Sequence, residues 1–507
     1  MSQNPQIGSP AYVPERPSQF HQLLEVSLET VADAVLSQIA SFLAEPGPEA
    51  FLALEEEVLR RFMHASSHVV AGVLVFLHGD KDRVEAAVRE GRERAPHATR
   101  SRGANRTSVR FLGGARFWIE TPYVTENLRG RSGRRRGTGR RGATGRGAYP
   151  VLESVGIAGR ATPALRSEVA KQTVRGASFD EAQEALADRG IRLDKKTVRR
   201  IALEVGEEAL DQRRARIELA REGRVLDDEL AGQRVVVSVD GGRLRLREGG
   251  ERGRRGKKGR RRYRTPWREP KLLAVYVIDG KGKKVVERPM LYDATLGDAD
   301  ATFEILVAEL LLRGAARAKT IILTGDGAPW IWNRADALAR TLGLDPKQIV
   351  KVADFYHAVE HLTAIADLCA SWTPEKRKRW VRRMRRHLKA GCVDRVIEAA
   401  RELRKGRNAK AIGTEINYFV ERKDRMRYAA FRRQGLPLGS GAVESAIRRV
   451  INLRLKGPSI FWRGPNAERM LHMRAYLKAG RWAELMSRVL HRSPAGQPMR
   501  AGMRQAA

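Results

Sequence analysis

The sequence predicts an α/β protein, with a mixed five-stranded sheet interrupted by a helical insertion and a mainly helical region in front of it. Three observations carry this expectation. Apolar, β-branched runs such as QRVVVSVDGG (233–242) and AKTIILTGD (318–326) read as buried strands. In the second half of the chain such runs are followed by longer helical stretches. From Phe20 to about Arg94 the pattern is helical instead, with Leu23, Leu24, Val26, Leu28, Val31 and Val35 recurring near helical spacing.

Charge narrows the partner. The 507 residues carry 96 Lys and Arg against 59 Asp and Glu, a formal charge of +37. That length suits about two to four domains. Such an excess repels itself in a compact fold and is best tolerated beside a polyanion, so double-stranded DNA is the expected partner. No membrane association is expected. The most apolar run, VVAGVLVFL (69–77), is far shorter than the roughly 20 residues of a spanning helix. The opening MSQNPQIGSPAYVPERP has no basic-then-apolar signal pattern. Cys369 and Cys392, both read as lying inside helices, form no C-x-x-C pair. Neither a zinc ribbon nor a disulfide framework is supported, and a cytoplasmic, nucleoid-associated protein is expected.

Along the chain, residues 1–18 read as a disordered tail and 19–127 as helices followed by a hairpin. EPGPEA (45–50) breaks the helices, and TSVRFLGGARFWIETPYV (107–124) turns at Gly113-Gly114. Residues 128–150 are an Arg/Gly-rich linker too polar to bury. It is either a solvated spacer or an arm whose Arg134, Arg135 and Arg136 neutralise phosphates. Residues 151–231 hold a predicted helix-turn-helix. Ser178 and Glu181 form a capping box, Gly190 ends the first helix, and Asp194 caps KKTVRRIALEVG. Lys195, Lys196, Thr197, Arg199 and Arg200 open that second helix and are candidate DNA contacts. An ordinary helical hairpin with a basic face is the alternative. A mostly polar helix, about 205–231, leads onward.

The main domain starts at 232 and runs to 371. Strands are expected at 233–242, 271–279 and 283–292, then a helix at 296–315 and a strand at 318–326. A helix over WIWNRADALARTLG and a strand at 347–357 running into a further helix complete the order. Three strands on short links imply an antiparallel meander, and the later ones, separated by helices, imply parallel crossovers. This order is the ribonuclease H-like arrangement, in which the first and fourth strands are neighbours. A basic helical insertion (372–434), closing helices (435–490) and a disordered tail (491–507) follow.

Neighbouring first and fourth strands would bring Asp240 and Asp326 together, since each ends a strand beside a glycine. Taken singly, either is also a good turn residue. A third acid is available in GLPLGSGAVESAIRRVINLRLK (435–456). There Ser440 reads as an N-cap, and Ile447 and Ile451 place Glu444 beside the buried side of the helix. The alternative for Glu444 is a first-turn acid favoured by the helix dipole and paired with Arg448. Three carboxylates suit two Mg²⁺ ions, with Mn²⁺ as a substitute, in phosphodiester cleavage.

The segments SVDGG, GDGAPWIWN, ADFYHAVEHL, GLPLGSGAVESA and RLKGPSIFW, in this order, resemble bacterial insertion-sequence transposases of the DDE type, most closely the ISKra group. The resemblance covers about 160–480. It implies that Asp240, Asp326 and Glu444 are the catalytic acids and metal ligands. It puts Asp354 and His357 of DFYH near the site. It implies DNA cleavage and strand transfer by a dimer or higher oligomer that brings two ends together. It also implies that the helical insertion contacts transposon ends, with Arg382, Arg383, Arg385 and Arg386 as candidates. Related enzymes often carry cysteine-bearing zinc elements near the N-terminus, and this chain has none. A nuclease that cleaves without joining, and a DNA-binding regulator with an inactive domain, are the rival readings.

Overall fold

The computed structural model is described over residues 18–95, 98–126, 147–249 and 263–491. Arg134, Arg135 and Arg136, the two tails apart from Ser18 and His491, and most of the basic insert after Arg247 lie outside the described residues. The chain forms two compact units, divided between Ala202 and Leu203.

The first unit opens with helices α1 (Ser18–Ala44), α2 (Pro48–Gly79) and α3 (Lys81–Glu93). Pro48 takes the first helical turn, where its missing N–H leaves no bond unmade. Asp80 accepts from Arg83 N at 3.1 Å and starts α3. The rings of Phe42 and Phe51, 5.5 Å apart, tie α1 to α2. By length and composition α2 could cross a bilayer, with mean hydropathy 1.3 over 18 residues. The nine-residue run understated this, because the helix extends it with small and weakly polar residues. Strands β1 (Thr99–Arg110) and β2 (Arg116–Glu126) form an antiparallel hairpin that starts at Thr99 rather than Thr107. The short β3 (Gly147–Ala148) adds to β2, and α4 (Pro150–Ser154), α5 (Pro163–Arg175) and α6 (Phe179–Ala187) follow.

Ser178 accepts from Glu181 N at 3.0 Å, but the Glu181 carboxylate reaches Ala177 N at 2.7 Å, so half of the expected capping box forms. Asp194 caps α7 (Lys195–Arg221) through Thr197 N at 2.9 Å. This helix is continuous where the sequence suggested two, and it ends at Arg221 rather than 231. Gly206, its one weak helix former near the expected break, is held against Arg469, whose Cβ lies 2.8 Å from where a Gly206 Cβ would stand.

The second unit is mixed α/β, built on a five-stranded sheet in the order β10-β9-β4-β7-β8. Strands β4 (Arg234–Gly241), β7 (Lys271–Ile278) and β8 (Leu291–Thr295) are antiparallel, while β9 (Thr320–Gly325) and β10 (Ile349–Ala353) run parallel to β4. A small ribbon, β5 (Leu244–Arg245) and β6 (Trp267–Arg268), lies between β4 and β7 in sequence. The expected adjacency of first and fourth main strands is present. The third starts at Leu291 rather than 283, since the charged run before it ends in Pro289, which has no N–H to give a ladder.

Helix α8 (Ala299–Leu312) is capped by Asp298, whose carboxylate accepts from Ala301 N at 2.9 Å. The single helix expected after β9 is two, α9 (Pro329–Trp332) and α10 (Ala335–Thr341), and the Arg334 side chain bonds back to Trp330 O at 2.9 Å across the break. Helix α11 (Phe355–Leu368) leads to the insertion: α12 (Pro374–Lys389), α13 (Val393–Arg401), α14 (Ala409–Arg422) and α15 (Tyr428–Arg433). Then come α16 (Gly441–Ile447), a π-turn at Arg448–Asn452, and α17 (Leu453–Leu455), α18 (Gly464–Lys478) and α19 (Trp482–Leu490). Cys369 and Cys392 sit at helix ends rather than inside helices.

Candidate active site

The sheet register brings the first two acids together. Strand β4 pairs with β9 in parallel, with Ser238 opposite Thr324, and those two buried hydroxyls bond each other. Side chains repeat on one face every second residue, so Asp240 and Asp326 stand one pleat further along the same face. Asp240 still belongs to β4, and its carboxylate accepts from Gly241 N at 2.7 Å. Asp326 follows β9 directly. One of its oxygens accepts from Gly327 N at 2.8 Å and Ala328 N at 2.9 Å, which turns the chain into α9.

Glu444 reaches this edge from α16, which packs on β4 and β7. Ile447 and Ile451 are buried as expected, and Gly242 lets them in: a Cβ there would come within 2.6 Å of Ile451 Cδ1. Ser440 does not cap α16 through its side chain. Its hydroxyl instead lies between Glu444 Oε1, at 2.9 Å, and Asp354 Oδ2, and its single proton serves one of the two carboxylates at a time.

Electrostatics tie the three acids together. Burial pushes the Asp240 carboxyl up to about 6 against the Gly241 N–H, and the negative charges of Asp326, Glu444 and Glu269 push in the same direction. Glu269 escaped the sequence reading. A Cβ on Gly241 would lie 2.2 Å from Glu269 Oε1, so this fourth carboxylate hangs over the end of β4. The antiparallel β4–β7 register, with Gly241 opposite Lys271, is the signal that could have found it.

Asp354 is a positioning residue here. It is buried at the start of α11, where Oδ1 accepts from Tyr356 N at 2.6 Å and His357 N at 2.9 Å. Oδ2 accepts from the backbone and hydroxyl of Ser440. Its carboxylate thus joins α11 to the Gly-Ser-Gly loop and, through Ser440, to Glu444. His357 is half-buried and bonds Glu360 Oε2 through Nδ1 at 3.0 Å. The insertion also touches the second acid's loop. Arg422 of α14 donates to Gly327 O through Nε at 3.0 Å and Nη2 at 2.6 Å. Tyr418 lies beside it, and burial raises its phenol well above the ordinary value. A Cβ at Gly327 would stand 2.5 Å from the Tyr418 ring, so glycine is required there.

Two hard divalent cations suit this donor set, because crowded carboxylate charge is what such ions relieve. Among the described residues, however, no three His, Cys, Asp or Glu side chains are grouped tightly enough to ligate a single ion as they stand. Asp240 and Asp326 are the adjacent pair, and Glu444 is held by its bond to Ser440. Comparison with protein-family models, curated proteins and solved structures finds no match to this chain.

The candidate DNA contacts fall elsewhere. On α7, Lys195, Lys196, Arg199 and Arg200 are exposed. Lys195 pairs with Asp180, Thr197 donates to Asp194, and Arg200 donates to Gly159 O at 3.1 Å. On α12, Arg382, Arg383, Arg385 and Arg386 are exposed opposite the buried Trp380, Met384 and Leu388. A cavity of about 400 Å³ in the first unit, walled by Val70, Leu74, Phe111 and Ile157, offers no ionisable group among its lining residues.

Proposed function

We propose that this chain is a DDE-type transposase that cleaves transposon ends and joins them to target DNA, with Asp240, Asp326 and Glu444 as its acids. The observation that carries the reading is the adjacency of Asp240 and Asp326 at the ends of the parallel pair β4/β9, with Glu444 acting on Asp240 from α16. The strand order, an antiparallel meander followed by two parallel strands, supports a ribonuclease H-like fold. The α6–α7 pair, turning at Gly190 with φ +74°, supports a helix-turn-helix.

Asp240, Asp326 and Glu444 would hold two Mg²⁺, or Mn²⁺ in their place. Bound there, the ions supply Lewis-acid stabilisation of phosphate oxygens and a strong nucleophile at neutral pH. The sheet fixes Asp240 and Asp326 on rigid strand ends, so little ordering is left for the reaction to provide. Ser440, anchored on Asp354, orients Glu444. Exposed arginines on α12 neutralise backbone phosphates and hold the duplex. In the reaction, water and then the freed 3′-hydroxyl attack phosphorus in-line, and the bridging oxygen opposite departs. A dimer or larger assembly would bring two ends together.

The test is a joining assay with the full chain, Mg²⁺, pre-cut DNA ends from the flanks of its reading frame, and a target plasmid. Joined products are expected. Asp240→Asn, Asp326→Asn and Glu444→Gln should each lower joining on the order of 10³-fold or more while end binding persists. Nicking without joining would replace the reading with a nuclease. End binding without any metal-dependent cleavage would replace it with a regulator.

A further inference from the structure

The ribbon that follows Asp240 carries an alternating aromatic and cationic face. Arg245 on β5 is directly opposite Trp267 on β6, and the pairing continues to an isolated bridge between Glu248 and Arg264. Cross-strand partners share a face, and that face alternates along each strand. Arg245, Arg247, Trp267 and Tyr263 therefore project from one side. Contacts agree: the Arg245 guanidinium lies 4.6 Å from the Trp267 ring centre, and that of Arg247 lies 4.0 Å from the Tyr263 ring centre.

The other side of the ribbon is its inner face. Leu244 and Leu246 are buried there, and Leu246 pairs in parallel with the buried Trp462. Backbone bonds from Trp462 N to Arg245 O (3.1 Å) and from Arg247 N to Trp462 O (2.7 Å) fix the ribbon to the chain beyond α17. Phe461 is turned to the outer face, with its ring 6.3 Å from that of Tyr263.

Among the described residues, nothing covers the outer face. Trp267 is 48% exposed and Tyr263 41% exposed, although both are large rings that a fold ordinarily covers. A surface of aromatic rings alternating with arginines matches what unpaired nucleotides need. Each base has a face to stack on a ring, and each phosphate a cation to meet. A duplex hides its base faces and would gain only the charge term.

We propose that this ribbon is a stacking platform for unpaired nucleotides of the DNA strand beside the scissile bond. Only Gly241, Gly242 and Arg243 separate Asp240 from β5, so the platform begins about 13 Å of chain from the acid. Trp267 and Tyr263 are four residues apart, again about 13 Å along the strand, enough for two or more unstacked bases. Recognition there is by stacking and charge, so it tolerates any base sequence. The proposal rests on the nucleic-acid reading above, but the platform binds whether or not the acids cut.

The experiment uses the full chain and two probes of equal length, a single-stranded oligothymidylate and a DNA duplex, both followed by fluorescence anisotropy without divalent metal. In the double variant W267A/Y263A, single-strand affinity should fall roughly tenfold or more, and duplex affinity less than twofold. W267F/Y263F should keep most single-strand affinity, since the ring is what binds. Unchanged single-strand affinity in the alanine variant would overturn the platform, as would equal loss for both probes. A joining failure in the wild-type chain with the selective loss intact would sink the transposase reading and leave the platform standing.

Discussion

The second unit holds two carboxylate clusters that a chain of +37 treats in opposite ways. Beneath the sheet edge, Glu309 is fully neutralised. Arg216 grips it with two bonds at 2.7 and 2.8 Å, and Arg313 adds one at 3.2 Å. Burial would raise the Glu309 carboxyl, but Arg216, Arg488 and Arg313 hold it well below the usual range. Glu229 and Glu484 are shared between Arg313 and Arg481 in the same network. At the ends of β4 and β9, by contrast, Asp240 feels the negative charges of Asp326, Glu444 and Glu269, and among the described residues its carboxylate accepts from Gly241 N. Among the described residues no arginine forms an ion pair with Asp240, Asp326 or Glu444, although Arg422 donates to the neighbouring Gly327 O. This contrast is what the proposed metal-dependent function would use, since a cation would relieve the crowded charge.

The same acid-to-amide change should therefore have opposite consequences in the two places. Glu309→Gln leaves Arg216 and Arg313 buried beside a neutral group and should cost about 3–5 kcal/mol of stability. Asp240→Asn removes a carboxyl whose ionised form the fold disfavours, and its urea midpoint should stay level or rise while activity is lost. Urea melts of both variants at pH 7 read the contrast. A drop in Asp240→Asn as large as that in Glu309→Gln would erase it.

A smaller effect sharpens the role of the link between Asp354 and Glu444. Ser440→Ala removes the hydroxyl that holds Glu444 Oε1 and leaves the Asp354 caps of α11 in place. With Glu444 a metal ligand as proposed, metal-dependent joining should fall about 10–100-fold, the range for losing an outer support of a ligand, with stability changing by about 1 kcal/mol. Ser440→Thr, which keeps a hydroxyl, should restore part of the loss. Equal activity in Ser440→Ala and the wild-type chain would show that Glu444 needs no such support.

These two clusters also differ in how far they could be read from the sequence. Asp240 and Asp326 were visible because each closes an apolar run beside glycine, and strand order makes those runs neighbours. Glu444 was visible through Ile447 and Ile451, one and two turns on. The Asp354–Ser440 bond was not, because it joins positions 86 residues apart through a loop whose path only the packed fold sets. The Arg216–Glu309 pair spans 93 residues for the same reason. Ser440 does stand at the N-cap position of α16, but its hydroxyl goes to tertiary partners rather than to the helix. The third strand begins late because the valine-bearing run before Pro289 makes only an isolated bridge to the end of β7, Lys284 to Ile278, before the chain turns away.

The smallest expected effect concerns acid. Burial would raise the Glu484 carboxyl, but Arg313, Arg488 and Arg481 bring it from the ordinary 4.5 down to about 2. A carboxyl depressed in the folded chain releases its proton there more readily than in the unfolded chain, so its ionisation favours folding. That contribution is whole above about pH 4.5 and drains away as pH falls toward 2. Melting temperatures taken from pH 6 to pH 2.5 should fall for the wild-type chain. In Glu484→Gln they should start lower and fall less steeply, the difference in slope amounting to roughly 2–4 °C. If both chains lose stability in parallel, Glu484 is not part of what the arginines hold together, and the neutralised half of the contrast would rest on Glu309 and Glu229 alone.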